Sequence, residues 1–315
     1  MNEEEMNENI HDILAVGAGP SALTAAVYTT REDIETVLYE KATVGGLAAI
    51  TDKVDNYPGF PDGIEGFQLA QQLEKQAKRF GAKIEYGEVS AIKDEGRFKV
   101  AVIDGKEVKA KAVLIATGST YGKINVPGEA EYYGKGVHYC ATCDGAFYKN
   151  KRLVVVGGGN SAIQEAIFLS NFASHIDLLV RSTVKASDVL QKKLNELIET
   201  GKIDVHLETS TDEIVAIEGK VTHAKVTKKG KSMNVNTDGV FIFAGLKPNT
   251  GFLKDSGVEL DEVGFIKTDS KLETNIPGIF ASGDVRSGST MQIASAVGEG
   301  ATVAHSIREY LQNYK

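Results

Sequence analysis

His11-Asp-Ile-Leu-Ala-Val-Gly17-Ala-Gly19-Pro20-Ser21-Ala22 decides the architecture. An apolar run of strand character ends in a G-x-G-x-x-A turn, and the alanine-rich segment Ser21 to Arg31 behind it has the composition of a helix. Small residues at Gly17, Gly19 and Ala22 permit a tight turn, close approach of a pyrophosphate and close helix–strand packing. Pro20 and Ser21 open the helix, whose unpaired N–H groups face the phosphates. A second strand, Glu35-Thr-Val-Leu-Tyr-Glu40, completes the start of a βαβ unit. Glu40, 21 residues after Gly19, is placed to accept hydrogen bonds from the ribose hydroxyls of a dinucleotide.

The same order recurs 140 residues later. Lys151-Arg-Leu-Val-Val-Val-Gly157 runs into Gly157-Gly-Gly159-Asn160-Ser161-Ala162, a helix is expected over 161–171, and Ile176-Asp-Leu-Leu-Val180 reads as the next strand. No acid ends this strand; Arg181 and Lys185 follow, a pair suited to a 2′-phosphate. One charge-assisted hydrogen bond of ~1.5–3 kcal/mol favours NADPH over NADH by roughly tenfold to a hundredfold. Between the two turns, Phe98–Ile103, Glu107–Ala110 and Ala112–Ala116 read as three strands, ending at Ala116-Thr117-Gly118. Near the C-terminus come a strand Gly239–Ala244, a Gly278-Ile-Phe-Ala-Ser-Gly283-Asp284 turn and a helix from about Gln292. The last seventy residues belong with the first half. The fold expected is α/β: two Rossmann-like three-layer dinucleotide-binding domains, the second inserted into the first.

The 315 residues suit two domains, and 42% hydrophobic content with 25% charge describes a soluble globular chain. A net charge of −8 argues against nucleic acid, which demands a basic face. No apolar run approaches the roughly 18–20 residues of a membrane helix. Met1 to Asn9, acidic and without periodicity, reads as a frayed tail and not as a signal peptide.

Only two cysteines occur, in Cys140-Ala-Thr-Cys143-Asp144. A disulfide scaffold needs more pairs, so a reactive pair in a reducing, cytoplasmic setting is expected. The two-residue spacer allows a small disulfide ring and lets one thiol sit as a stabilised thiolate. Asp144 is placed to pass a proton to a departing thiolate. The competing reading, a zinc site, asks for four ligands, and even with His138 the set stays incomplete.

Taken in order along the whole chain, these motifs resemble low-molecular-weight thioredoxin reductases. The resemblance includes Gly45-Gly46, Val54-Asp-Asn56-Tyr-Pro-Gly-Phe60, Pro127-Gly-Glu129, Gly136-Val-His-Tyr-Cys-Ala-Thr-Cys-Asp144, Lys247-Pro-Asn-Thr250 and Pro277-Gly-Ile-Phe-Ala-Ser-Gly-Asp-Val285. It implies an FAD domain over 1–120 and 246–315 around an insert, 121–245, that carries the cysteines and binds NADPH. It further implies a homodimer whose two domains rotate, and thioredoxin or a thioredoxin-like protein as partner. By the same resemblance Asp284 lies near the ribityl and pyrophosphate groups of FAD and Asn56 near its ring. Gln292 and Ile293 touch the ring through backbone N–H groups.

Departures gather at the electron-input side. Val180-Arg181-Ser182 stands where the family has His-Arg-Arg, and Asn160 and Gln164 where acids are common. Leu47 replaces a common Gln and Met291 a common Arg. A second reading is therefore the same dithiol chemistry fed by NADH, reduced ferredoxin or reduced flavin; a third is a non-catalytic redox-sensing flavoprotein.

Overall fold

A computed structural model describes residues 10–51 and 53–314; the acidic stretch Met1–Asn9 lies outside them. The chain divides into two compact units, one of Met1–Thr120 with Lys247–Lys315, the other of Tyr121–Leu246.

In the first unit β1 (His11–Val16) leads through α1 (Pro20–Thr30) to β2 (Thr36–Glu40), with Pro20 at the first helical position where its missing N–H costs nothing. A short pair, β3 (Lys53–Val54) and β4 (Ile64–Glu65), precedes α2 (Gly66–Arg79). Strands β5 (Lys83–Tyr86), β6 (Val89–Glu95), β7 (Phe98–Ile103) and β8 (Lys106–Ile115) follow, and β9 (Ser119–Tyr121) ends this stretch. The strands expected at 107–110 and 112–116 are thus one continuous strand, β8. Its first half is antiparallel to β7 and its second half parallel to β1. Lys111, the residue between the two expected segments, pairs with Asp12 at 2.6 Å.

The second unit starts with β10 (Val137–His138), the short helix α3 (Ala141–Asp144), β11 (Arg152–Val156), α4 (Asn160–Leu169), β12 (His175–Leu179), α5 (Asp188–Glu199) and β13 (Ile203–His206). A meander of β14 (Thr209–Ile217), β15 (Lys220–Lys228) and β16 (Lys231–Asn236) comes before β17 (Gly239–Ile242). The parallel sheet runs β10-β17-β11-β12-β13. Alternation sorts its side chains by face. Leu153 and Val155 pack with Ile163, Ala166 and Leu169 of α4, while Val154 packs with Ile214, Ala224 and Val226 of the meander. Helices cover one face and a small antiparallel sheet the other.

The chain returns through β18 (Leu246–Pro248), which pairs with β9, then β19 (Ile279–Ala281) and α6 (Ile293–Gln312). The first unit's seven-stranded sheet runs β5-β2-β1-β8-β7-β6, with β19 on the second half of β8. Ile13 and Ala15 face a core shared with α1 and α6; Leu14 and Val16 face the opposite core. Gly300 lets α6 lie against α1, because a Cβ there would sit 2.4 Å from Ser21 O.

Candidate active site

At the end of β1 the glycine requirement is geometric. Gly17 has φ +98°, and a Cβ on it would lie 2.6 Å from Ala116 O, so the turn and Ala116-Thr117-Gly118 are brought together. Gly118 itself turns at φ +66°. A Cβ on Gly19 would meet nothing within 4 Å, and one on Gly46 would come no nearer than 3.9 Å, to Gly19 Cα. Gly45 donates its N–H to Ala18 O at 2.8 Å, which places Gly45, Gly46 and Leu47 over the turn. Glu40 accepts the N–H groups of Ala18 and Ala42, each at 2.9 Å, so it braces the turn from the end of β2. Among the described residues no side chain caps α1 at Gly19. This is an open helix N-terminus with backbone exposed on one side, a cradle for a phosphate.

Ser21 and Gly283 also meet: Ser21 Oγ lies 2.6 Å from Ser282 Oγ, and a Cβ on Gly283 would lie 3.2 Å from Ser21 Cβ. Next to them Asp284 Oδ1 is buried without a hydrogen-bond partner among the described residues. Burial, helped by the charge of Glu299, pushes the Asp284 carboxyl up to about 6. Such an atom calls for a polar ligand group, and with the open turn it fits a dinucleotide. Sequence reading missed Glu299, which accepts the Gly283 N–H at 2.7 Å and holds Arg286 Nη2 at 2.6 Å. Asn56 Nδ2 donates to Gln292 Oε1 at 3.0 Å, so these two expected ring contacts are neighbours. Gln292 is also the N-cap of α6, with Ile293 the first helical residue. Met291 holds φ +56°, a left-handed conformation that costs a non-glycine residue about 1 kcal/mol or more.

In the second unit Gly157 is again irreplaceable: a Cβ would lie 2.6 Å from Phe243 O and 2.7 Å from Ala162 Cβ. Gly159, Asn160 and Ser161 are exposed, and among the described residues no side chain caps α4. Lys185 is tied to this turn through its backbone, its N–H donating to Gly158 O at 2.6 Å. The side chains of Arg181 and Lys185 are exposed. Asn160, expected at the phosphate, has its Oδ1 accepting from Ser187 N–H at 2.8 Å, so it fastens the 181–187 loop to the helix start.

Cys140 and Cys143 form a disulfide with Cα atoms 5.3 Å apart. Cys140 is the N-cap of α3, and the Cys143 N–H donates to its Sγ at 3.2 Å. That contact favours a thiolate on Cys140 once the bond is reduced. Both cysteines are half-buried in the chain. Asp144 closes α3, and its Oδ2 lies 3.2 Å from Nδ1 of buried His138. His138 Nε2 lies 2.8 Å from Tyr148 Oη, and its ring stacks on Phe241 with centroids 5.1 Å apart. Burial, then the charges of Asp144 and Asp238, push the Tyr148 phenol up to about 12. His138 thus belongs to a polar chain that ends at Asp144, the residue after Cys143. Among the described residues the His and carboxylate group spaced to hold a cation is elsewhere, at His175, Asp177 and Asp204. There Arg152 already sets a positive charge 2.7 Å from Asp177.

Residues 11–300 match the family model described as pyridine nucleotide-disulphide oxidoreductase. The chain is 41% identical over 308 residues to thioredoxin reductase of Bacillus subtilis (strain 168), spanning 97% of this chain and 96% of that one. It is 40% identical over 311 residues to thioredoxin reductase of Listeria monocytogenes, spanning 98% and 96%. Among solved structures, thioredoxin reductase from Streptococcus pyogenes MGAS5005 superposes with a TM-score of 0.92 at 36% identity, covering 98% of this chain and all of that one. With two glycine turns and a Cys-x-x-Cys disulfide already in place, these likenesses assign the chain to the thioredoxin reductase family of pyridine nucleotide-disulphide oxidoreductases.

Proposed function

We propose that this chain is a thioredoxin-disulfide reductase that takes electrons from NADPH and delivers them through Cys140 and Cys143 to the disulfide of thioredoxin or a thioredoxin-like protein. The observation that carries the reading is the Cys140–Cys143 disulfide, held at the start of α3 with Asp144 next in the chain. FAD, when bound in the first unit, supplies the two-electron chemistry that links a reduced pyridine nucleotide to a disulfide.

In this reading the first unit is the FAD domain. The α1 N-terminus with Gly17, Gly19, Pro20, Ser21 and Ala22 receives the pyrophosphate, Glu40 the ribose, and Asp284 donates or accepts at its unpartnered Oδ1. Gly45, Gly46, Leu47, Asn56, Ala116, Thr117, Gly118, Gly283, Met291, Gln292 and Ile293 complete that site. The second unit takes NADPH at Gly157, Gly159, Asn160, Ser161 and Ala162, with Arg181 and Lys185 on the 2′-phosphate. Support for the last pair is their exposure, and the backbone tie of Lys185 to the turn. The enzyme acts as a homodimer in the cytoplasm; among the described residues no helix is long and apolar enough to cross a membrane.

The test is an anaerobic titration of FAD-loaded protein with NADPH and then NADH, following flavin absorbance near ~450 nm. NADPH should bleach the flavin, and the R181A/K185A double variant should need roughly tenfold to a hundredfold more of it, with NADH unaffected. Bleaching by dithionite but by neither nucleotide would overturn NADPH as donor and leave the dithiol reading to be fed by ferredoxin or another reductant.

A further inference from the structure

The dithiol reaction needs a proton to be in the right place twice, and the second unit holds more proton-carrying groups beside the disulfide than Asp144 alone. His138 is buried, its side chain 7% exposed, on the two-residue strand β10 just before Cys140. Its Nδ1 lies 3.2 Å from Asp144 Oδ2 and its Nε2 2.8 Å from Tyr148 Oη. The phenol keeps its proton across the working range, since burial and the nearby carboxylates hold it far above neutrality. The phenol can donate to Nε2, and in that tautomer the imidazole hydrogen sits on Nδ1, facing Asp144. Each atom of the chain Asp144, His138, Tyr148 then has a defined role as donor or acceptor.

Two further contacts fix this chain in place. Phe241 lies against the imidazole face, and Tyr148 packs edge-on to both rings. Tyr148 has room only because position 239 is glycine: a Cβ there would lie 2.4 Å from the ring and 3.0 Å from Oη. The other groups around it are Asp238, whose charge acts on Tyr148, and Tyr133, whose phenol burial and Asp144 together push up.

We propose that His138, backed by Tyr148, is the positioning residue for Asp144, holding the carboxyl beside the cysteine pair and sharing the proton that Asp144 gives and takes during disulfide exchange. This rests on the dithiol reading above. One cysteine thiolate attacks a sulfur of the partner disulfide, so a mixed disulfide forms and the partner's S–S bond breaks; the departing sulfur takes the proton from Asp144. The remaining cysteine thiol then returns a proton to the Asp144 carboxylate and attacks the first cysteine's sulfur. The Cys140–Cys143 bond is remade, and the partner's second sulfur leaves with that proton. Two electrons and two protons pass from the dithiol and Asp144 to the partner. His138 spreads the carboxyl's changing charge over a hydrogen-bonded chain in a buried setting, where an isolated charge is costly.

The test separates this role from simple structural support by the choice of leaving group. FAD-loaded protein is reduced with dithiothreitol, freed of it anaerobically and mixed in single turnover with two small disulfides. One is 5,5′-dithiobis(2-nitrobenzoate), whose aromatic thiolate leaves without a proton; the other is hydroxyethyl disulfide, whose aliphatic thiolate needs one. H138N, which keeps an N–H near Nδ1 but cannot carry a proton through the ring, should slow the aliphatic disulfide about tenfold and the aromatic one less than about twofold. Y148F, a smaller change in volume that serves if H138N folds poorly, should show the same selectivity at about threefold. Equal slowing of both disulfides, or of neither, refutes the relay alone. If wild-type dithiol reduces neither disulfide, the dithiol reading fails and takes the relay with it.

Discussion

Replacing Asp284 by asparagine should free the flavin-free protein of a pH-dependent weakness. Burial, reinforced by Glu299, lifts this carboxyl from 3.8 to about 6. The folded chain therefore holds its proton more tightly than the unfolded chain does. The stability that this proton contributes is complete below about pH 4 and is lost as pH rises through about 6. A lift of roughly two units at about 1.36 kcal/mol each amounts to about 3 kcal/mol. Asparagine has no proton to lose, so between about pH 4 and pH 7.5 the variant should gain on the wild type by about that amount. For a unit of this size, each kcal/mol moves the melting temperature by roughly 2–4 °C, which makes the relative gain about 6–12 °C. Thermal unfolding of the two flavin-free proteins, followed by circular dichroism across that range, measures it. Two curves of melting temperature against pH that run parallel within about 2 °C would refute the idea that Asp284 carries a buried proton.

The two glycine turns should fail independently. G17A sets a Cβ against Ala116 O and should abolish flavin retention during purification. G157A sets one against Phe243 O, and should leave flavin content unchanged while nucleotide binding, read by isothermal titration, falls below detection. Glu129, 2% exposed, accepts N–H groups from Ile124 and Asn125 and the hydroxyl of Tyr139. E129Q turns one of those acceptors into a donor and should cost about 2–4 kcal/mol in urea unfolding of the second unit, with little effect on flavin content.

Local demands were written in the sequence and long-range ones were not. Gly17 and Gly157 announce themselves because a strand must turn within a few residues and the glycines are adjacent in the chain. Their counterparts, Ala116 O and Phe243 O, lie 99 and 86 residues away, yet the turn signal suffices without them. The continuity of β8 was hidden for the opposite reason. Lys111 gives a strand that changes partners midway the look of two strands, and only the pairing with β7, β1 and β19 shows one. The meander β14–β16 was missed because its inward positions, such as Ile214, Ala224 and Val226, are sparse among charged residues. His138 offered only a possible ligand nitrogen. What gives it a role is Phe241, about 100 residues on, and a tyrosine seated by the glycine that opens that phenylalanine's strand. Glu299 acts on Gly283 from the far side of a turn, with no motif linking the two.

The position of β19 has a consequence for the order in which the molecule is made. β19 completes the first unit's sheet by pairing with Val113–Ile115, and α6 supplies the cover over α1. Both leave the ribosome after residues 121–246 have been made. The insert between β8 and β19, Tyr121–Leu246, is contiguous and contains every strand of its own two sheets. During synthesis the domain that begins first is therefore the one that finishes last. Its apolar strands must wait, one core face uncovered, while the later unit already has all its partners in hand.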